Sequence, residues 1–387
     1  MKLKTVLTRL FIPIFVLSFL FSSCGSGEEI TNEAVRGVWL TNVDSKALNS
    51  KANIIEAVEL CNELGFNTIF VVTWNKAMTT FPSKVVKEIT GIEIDTTFTG
   101  RDPLKELIEE AHSRNIKVIA WFEFGFSSSY NENGGIILKA KPEWASKDSA
   151  GTLVKKNNFE WMNGFHPEVQ DFLLSIIMEV VNNYDIDGIQ GDDRLPAMPS
   201  EAGYDDYTVN LFKQQHNGNE PPRYSKDNAW VQWRADLLTD FMRRIYETVK
   251  AAKSNVVVSM APSIYPWSKE EYLQDWTAWV EKGYVELICP QLYRYETDRY
   301  FVALDEIING QISERNIHKF YPGILLKVGS YYASKEYLKK VIRYNRSKGI
   351  NGEVFFFYEG VKKYPEFFRD SLYTDKVKFP QLLNANK

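Results

Sequence analysis

The stretch Asp187-Gly188-Ile189-Gln190-Gly191-Asp192-Asp193-Arg194 ends an apolar run in a cluster of ionisable groups. Side chains alternate along a strand, so Gly188, Gln190 and Asp192 share one face and Ile189, Gly191 and Asp193 the other. With Ile189 packed outward, Gln190 and Asp192 point inward, where an ionised carboxylate is tolerated only if solvent and ligand reach it. Asp193 also suits a turn or a helix N-cap. A second acid, Glu123, lies within Trp121-Phe122-Glu123-Phe124-Gly125. Aromatic rings around a carboxyl group disfavour its charged form, which raises its pKa and suits a general acid. Carboxylates on neighbouring strand ends, roughly 5 to 10 Å apart, can flank a glycosidic bond, one protonating the leaving oxygen while the other attacks or activates water. Glu123 and Asp192 are the expected pair, with Asp193 and Glu359 in reserve. The alternative for Glu123 is a structural ion pair with an arginine such as Arg194.

Other polar residues at strand ends can serve the same chemistry. Gln291 and Tyr293 share one face of Pro290-Gln291-Leu292-Tyr293, and with Gln190 and Arg194 they can hydrogen-bond sugar hydroxyls. Among the aromatic residues at this level, Trp74, Trp121, Trp267 and Tyr358 are candidate sugar contacts to be weighed against ordinary core packing. Trp267, between Pro266 and Ser268, is the expected platform. The four histidines, His112, His166, His216 and His318, lack the spacing of a metal cluster. The G-x-S-x-G elbow, the phosphate-binding P-loop and a G-x-G-x-x-G after a strand are all missing from the sequence. No metal and no cofactor is expected.

Positioning these groups requires a parallel sheet. Eight β-branched or aromatic runs alternate with amphipathic helical patterns: Val35–Thr41, Asn67–Trp74, Lys117–Phe124, Asp187–Asp193, Val256–Ser263, Leu287–Tyr293, Lys319–Leu326 and Glu353–Tyr358. Helices are predicted over Ile54–Leu64, Pro103–Arg114, Pro167–Asn183, Trp230–Lys253, Lys269–Lys282, Arg299–Ile308 and Lys335–Lys348. Eight such units in 387 residues predict an α/β fold, a closed (β/α)₈ TIM barrel, rather than a doubly wound sheet. Its chemistry would then sit in the loops after the strands, of which those after strands 2, 3 and 4 are longest.

Residues 1–23 carry Lys2, Lys4 and Arg9 ahead of an apolar run from Leu10 to Phe21, the pattern of an export signal. Phe21-Ser22-Ser23-Cys24-Gly25 resembles a lipobox, so Cys24 is the expected lipid attachment site. Residues 24–34 then form a polar tether and 35–387 the barrel. This organisation predicts a cell-envelope lipoprotein, on the periplasmic or surface face of a membrane. With 46 Lys+Arg against 50 Asp+Glu there is no basic excess to neutralise phosphates, and nucleic acid is not an expected partner. Cys61 and Cys289 sit in apolar surroundings and read as core residues.

Several motifs occur in order along these elements: Arg36-Gly37-Val38-Trp39-Leu40, Phe81-Pro82-Ser83, Pro142-Glu143-Trp144, Asn163-Gly164-Phe165-His166-Pro167-Glu168-Val169, Asp185-Ile186-Asp187-Gly188-Ile189, Ala261-Pro262-Ser263-Ile264-Tyr265 and Pro290-Gln291-Leu292-Tyr293. Together they resemble the glycosyl hydrolase-like 10 family. The resemblance implies a (β/α)₈ barrel and hydrolysis of a glycan, in a family associated with the bacterial envelope and its peptidoglycan. The fourth strand also resembles the D-G-x-R-x-D pattern of the alpha-amylase type, which would put the nucleophile on Asp192. Compared with the chitinase pattern D-G-x-D-x-D-x-E, Arg194 replaces the final acid, which disfavours substrate-assisted chemistry. Two readings follow: an exported glycoside hydrolase acting on a polysaccharide or peptidoglycan strand, or a lipid-tethered glycan-binding protein on the same barrel.

Overall fold

The computed structural model describes residues 33–382. Eight short parallel strands are β1 (Arg36–Leu40), β2 (Thr68–Val72), β3 (Lys117–Phe122), β4 (Gly188–Gly191), β5 (Val257–Met260), β6 (Leu287–Ile288), β7 (Gly323–Leu325) and β8 (Glu353–Phe356). They hydrogen-bond in the order β6-β5-β4-β3-β2-β1-β8-β7. The two ends meet through Tyr321 N–H donating to Ile288 O (3.0 Å) and Gly323 N–H to Pro290 O (2.9 Å), which closes the barrel. Each strand falls within a predicted run, and each run overshoots because the residues past the rim leave the sheet for the loops.

The outer layer contains α1 (Lys51–Glu63), α2 (Pro103–His112), α3 (Pro167–Asn183), α4 (Asn228–Ala252), α5 (Trp276–Glu281), α6 (Thr297–Glu306) and α7 (Lys335–Ser347). Side-chain caps start several of them: Ser50 accepts from Asn53 N–H, Asp102 from Lys105 N–H and Ser334 from Tyr337 N–H. The predicted helix Lys269–Lys282 is instead two helices, Trp267–Tyr272 and α5, parted at Leu273, which lies in the left-handed region at φ +55°. That conformation is unfavourable for leucine, and amphipathic spacing gives no sign of it. The break frees Gln274, whose side-chain N–H donates to Asp192 O at 2.8 Å.

The three long loops carry structure of their own. After β2, Trp74–Asn75 pairs antiparallel with Met78–Thr79. After β3, Ser127–Tyr130, Phe159–Trp161 and Lys155–Lys156 form a small antiparallel sheet. After β4, the fully buried Arg234 of α4 donates to the carbonyls of Ser200, Ala202 and Ser225, fixing the loop's path. Glu33 and Ala34, expected in the tether, already belong to the folded unit, since Ala34 is buried and its N–H donates to Lys378 O. The export segment, Cys24 and the remainder of the tether lie outside the described residues.

Candidate functional site

Two glycines let the chain fold back over the mouth of the barrel. A Cβ on Gly191 would lie 2.4 Å from Leu195 O and 2.5 Å from Met260 Sδ, so the tight return through Asp192-Asp193-Arg194 requires glycine there. A Cβ on Gly125, at φ +51°, would lie 2.0 Å from Arg194 O. Without it, the β3 and β4 ends draw together and Phe126 N–H donates to Arg194 O at 3.0 Å. Glu123 and the acids after β4 are thereby held against each other.

Asp192 is 3% exposed and surrounded by donors. Trp121 Nε1–H donates to Oδ2 at 2.8 Å, while Gln291 Nε2–H (2.6 Å) and Asp193 N–H (2.5 Å) both donate to Oδ1. Burial raises its pKa well above the ordinary aspartate value, the charge of Asp193 adds to the rise, and Arg194 opposes it. The three N–H groups cannot accept a proton's hydrogen bond, so they favour the ionised form.

Glu123 accepts from Asn75 Nδ2–H at 2.9 Å and from Thr41 Oγ at 3.5 Å, both on Oε2. Its pKa is pushed up to about 7, chiefly by burial, with Arg194 the largest opposing influence. The Arg194 guanidinium reaches all three acids, 3.6 Å from Glu123, 3.9 Å from Asp192 and 3.0 Å from Asp193. Because one nitrogen faces both Glu123 Oε1 and Asp192 Oδ2, the two oxygens are no farther apart than those two legs together, about 7.5 Å. Carboxylates separated by roughly 5 to 9.5 Å span both stereochemical classes of glycoside hydrolysis. Arg194 also donates from Nε to Glu123 O at 3.0 Å and stacks 4.6 Å above the Phe159 ring. Its donors are thus engaged by the acids, where a sugar contact was expected.

Tyr293 is close enough that burial and then the charges of Asp192, Asp193 and Glu123 hold its phenol well above its ordinary pKa. It therefore faces the acids as a neutral hydroxyl. Gln291 spends its side-chain N–H groups on Asp192 and on Ala261 O at 3.0 Å. Trp121 is buried and orients Asp192 through its indole N–H, so its ring offers no open platform. Trp267 is 44% exposed at the start of its short helix, packed on Tyr272, whose phenol lies within the fields of Asp193 and Arg194.

Three expected sugar contacts and one reserve acid lie apart from this cluster. Gln190 is fully buried below the mouth, accepting from Trp39 Nε1–H at 2.7 Å and donating to Ser259 Oγ at 2.9 Å. Trp74 is fully buried, its indole N–H donating to Gly125 O at 3.0 Å and its ring against Phe124 and Phe172. Tyr358 is buried outside the strand, its phenol near Glu56 and Cys61 of α1. Glu359 accepts from Ser45 Oγ at 2.8 Å and pairs with Lys362 at 3.3 Å, away from the Arg194 cluster.

Sequence reasoning missed Asn75, Thr41, Gln274 and Phe356. Thr41 and Asn75 are polar residues ending apolar runs, the same signal that identified Asp192. Phe356, half-buried at the end of β8, has its ring 5.3 Å from Tyr293, 6.5 Å from Trp121 and 6.1 Å from Trp39.

Comparison with known proteins agrees with this architecture. The family model for glycosyl hydrolase-like 10 matches residues 34–325. Glycosyl hydrolase YngK of Bacillus subtilis (strain 168) is 22% identical over 422 residues, covering 97% of this chain and 78% of that protein. Glycosyl hydrolase DigH of Escherichia coli (strain K12) is 25% identical over 305 residues, covering 68% of this chain and 66% of that one. The glycoside hydrolase domain of PgaB (BpsB) from Bordetella bronchiseptica superposes with a TM-score of 0.67 at 13% identity, over 89% of this chain and all of that domain. The catalytic domain of beta-amylase from Paenibacillus polymyxa superposes with a TM-score of 0.60 at 10% identity, over 89% of this chain and 99% of that domain. The fold is the TIM barrel that these glycoside hydrolases share, and the chain belongs to the glycosyl hydrolase-like 10 family.

Proposed function

We propose that this chain is an exported, lipid-tethered glycoside hydrolase that cleaves a polysaccharide or peptidoglycan glycan strand. Glu123 is the proton donor to the glycosidic oxygen, and Asp192 is the nucleophile or the base that activates water. The observation that supports this most is the contrast between the two carboxyl groups. Burial raises the pKa of both, but Asp192 is held by three N–H donors that favour its charged form, whereas Glu123 is bonded on one oxygen only and, with its pKa raised to about 7, reaches both protonation states near neutrality. Phe356 and Tyr293 offer ring faces beside the acids, and Trp267 a further one on the rim.

One observation favours the second reading, a glycan-binding protein without turnover. The Arg194 guanidinium bridges Glu123 and Asp192, the space a scissile bond would enter. Catalysis therefore requires the substrate to displace it toward Asp193, its closest acid partner at 3.0 Å. Incubating the purified protein with peptidoglycan strands and a polysaccharide panel, with mass spectrometry of the products, separates the readings. Hydrolysis is expected on at least one glycan. Retention of a glycan with no product from any of them would establish the binding protein instead.

The tether has its own test. Small residues precede Cys24 after a short apolar segment, the arrangement that lipoprotein processing requires. Cys24→Ala is expected to move the protein from the membrane fraction to the soluble one. Retention of the variant on membranes after carbonate washing would overturn lipidation.

A further inference from the structure

Gln274 reaches Asp192 from another element, and it does so at a cost to stability. It is 1% exposed, just past the short helix Trp267–Tyr272, and its side-chain oxygen is buried without a hydrogen-bond partner among the described residues. Leu273 before it holds the left-handed φ of +55°. An unpaired buried acceptor and a leucine in that region are both unfavourable, and such features persist where the surrounding structure enforces them. Met198 N–H donates to Tyr272 O at 3.0 Å and Ser200 N–H to Glu271 O at 2.9 Å, which ties the short helix to the loop after β4. Lys156, from the loop after β3, pairs with Glu271 at 2.8 Å. Gln274 is pinned to the same helix, its N–H donating to Ser268 O and its main-chain oxygen accepting from Ser268 Oγ, both at 3.0 Å. These contacts aim the Gln274 side-chain N–H at Asp192 O, 2.8 Å away.

Asp192 O and Asp193 N belong to one peptide group. Its N–H end donates to Asp192 Oδ1 at 2.5 Å, so the peptide grips the carboxylate while Gln274 grips the peptide. Leu195 N–H also donates to Asp192 O, at 3.1 Å, but Leu195 belongs to the same turn and moves with it. Gln274, which follows β5, ties the peptide to the rest of the barrel. A hydrogen bond accepted by a carbonyl polarises the amide and strengthens the bond that its N–H donates. Removing the Gln274 donor therefore weakens an N–H that favours the charged carboxylate, and frees the peptide to turn away from it. The ionisable groups around Asp192 are Asp193 and Arg194 in its own turn, Glu123 at the end of β3 and Tyr293 after β6, with Tyr272 of the short helix in the fields of Asp193 and Arg194. All of them are kept when Gln274 is replaced.

We infer that Gln274 is a positioning residue, which holds the Asp192–Asp193 peptide so that the carboxylate of Asp192 stays ionised and in place. Its consequence for turnover rests on the hydrolase reading above, whereas its grip on Asp192 does not. Gln274→Met keeps an unbranched side chain and removes the donor together with the unpaired oxygen. Carbon-13 labelling of the aspartate carboxyl groups follows Asp192 directly in the full-length protein, with Asp192→Asn identifying the signal by its loss. The midpoint of the Asp192 titration is expected to rise by about half a pH unit in Gln274→Met, the share of a charge-assisted bond that carbonyl polarisation supplies. The melting temperature should not fall, because the unpaired oxygen is lost with the donor. Gln274→Leu removes the same donor, so a folding defect in one variant leaves the other to decide. Glu271→Gln loosens the short helix from Lys156 and Lys226 while leaving the peptide clamped, and should not move the midpoint. An unmoved midpoint in the Gln274 variants, or an equal rise in Glu271→Gln, would overturn the positioning role. On a glycan that the wild type cleaves, kcat should fall about tenfold in Gln274→Met with KM within about twofold, and the acid limb of kcat/KM should move up in pH with the midpoint. A raised midpoint in a protein that cleaves no glycan would sink the hydrolase reading alone, and turnover with an unmoved midpoint would sink the positioning role alone.

Discussion

Asp192→Asn is expected to lower kcat by at least about 10⁴-fold on whichever glycan the wild-type protein cleaves, because it removes the nucleophile or water-activating base itself. The amide keeps the shape of the side chain and one oxygen to accept from Gln291 and Asp193 N–H. Its NH₂ then faces the Trp121 indole N–H, two donors opposed where a charged acceptor stood. Removing a buried negative charge offsets part of that cost, so the fold should persist, as thermal melting can verify. Glycan retention should persist too, since Tyr293, Phe356 and Trp267 are untouched. Single-turnover measurement of product release separates this loss from a binding defect. Turnover within tenfold of wild type would remove Asp192 from the mechanism.

Glu123→Gln is expected to cost about 10² to 10⁴ in rate, the usual worth of general acid assistance. The pH profile is the sharper readout. A raised pKa keeps Glu123 protonated, and competent as a donor, below about 7. As pH rises through that value the donor is lost, so wild-type kcat/KM should fall about tenfold per pH unit on the alkaline side. The Gln variant, with nothing to titrate, should lose this limb. Asn75 and Thr41 still find a side-chain oxygen in it, so the local hydrogen bonds survive. Should the variant retain the alkaline limb along with full activity, the proton donor would have to be sought at Asp193, the other acid beside Arg194.

The barrel and its acids were legible in the sequence for different reasons. Every strand falls inside a predicted run because parallel strands buried on both faces are short apolar stretches bounded by helices, a pattern that the order of residues displays. Alternation correctly placed Asp192 inward but carried no depth. Gln190 shares its face yet lies two residues lower, level with Ser259 on β5 and Trp121 on β3, in the packed layer that fills a barrel of this size. Tyr358 counts among the aromatic residues at strand-end level in the sequence, but β8 ends at Phe356 and a helical turn begins at Tyr358. Phe356, two residues earlier, packs its ring against Tyr293 and Trp121, the aromatic neighbours of the acids. The Leu273 break and the contact it permits between Gln274 and Asp192 depend on tertiary packing that overrides local preference, and no spacing rule encodes them.

The seam of the barrel bears on the acids in a way the static contacts do not express. β6 contributes only Leu287 and Ile288 to the ladder, and beyond them Gln291 bridges to Gly323 across the closure. The same Gln291 supplies a donor to Asp192 at 2.6 Å. Short ladders open first when a fold breathes, because few bonds must break together. Each opening of this seam would withdraw one of the N–H groups that favour the charged carboxylate, and each ligand that engages Asp192 would hold the seam shut. Barrel closure and the ionisation of Asp192 are in this sense linked, so the more often the seam opens, the less often the central acid stands charged.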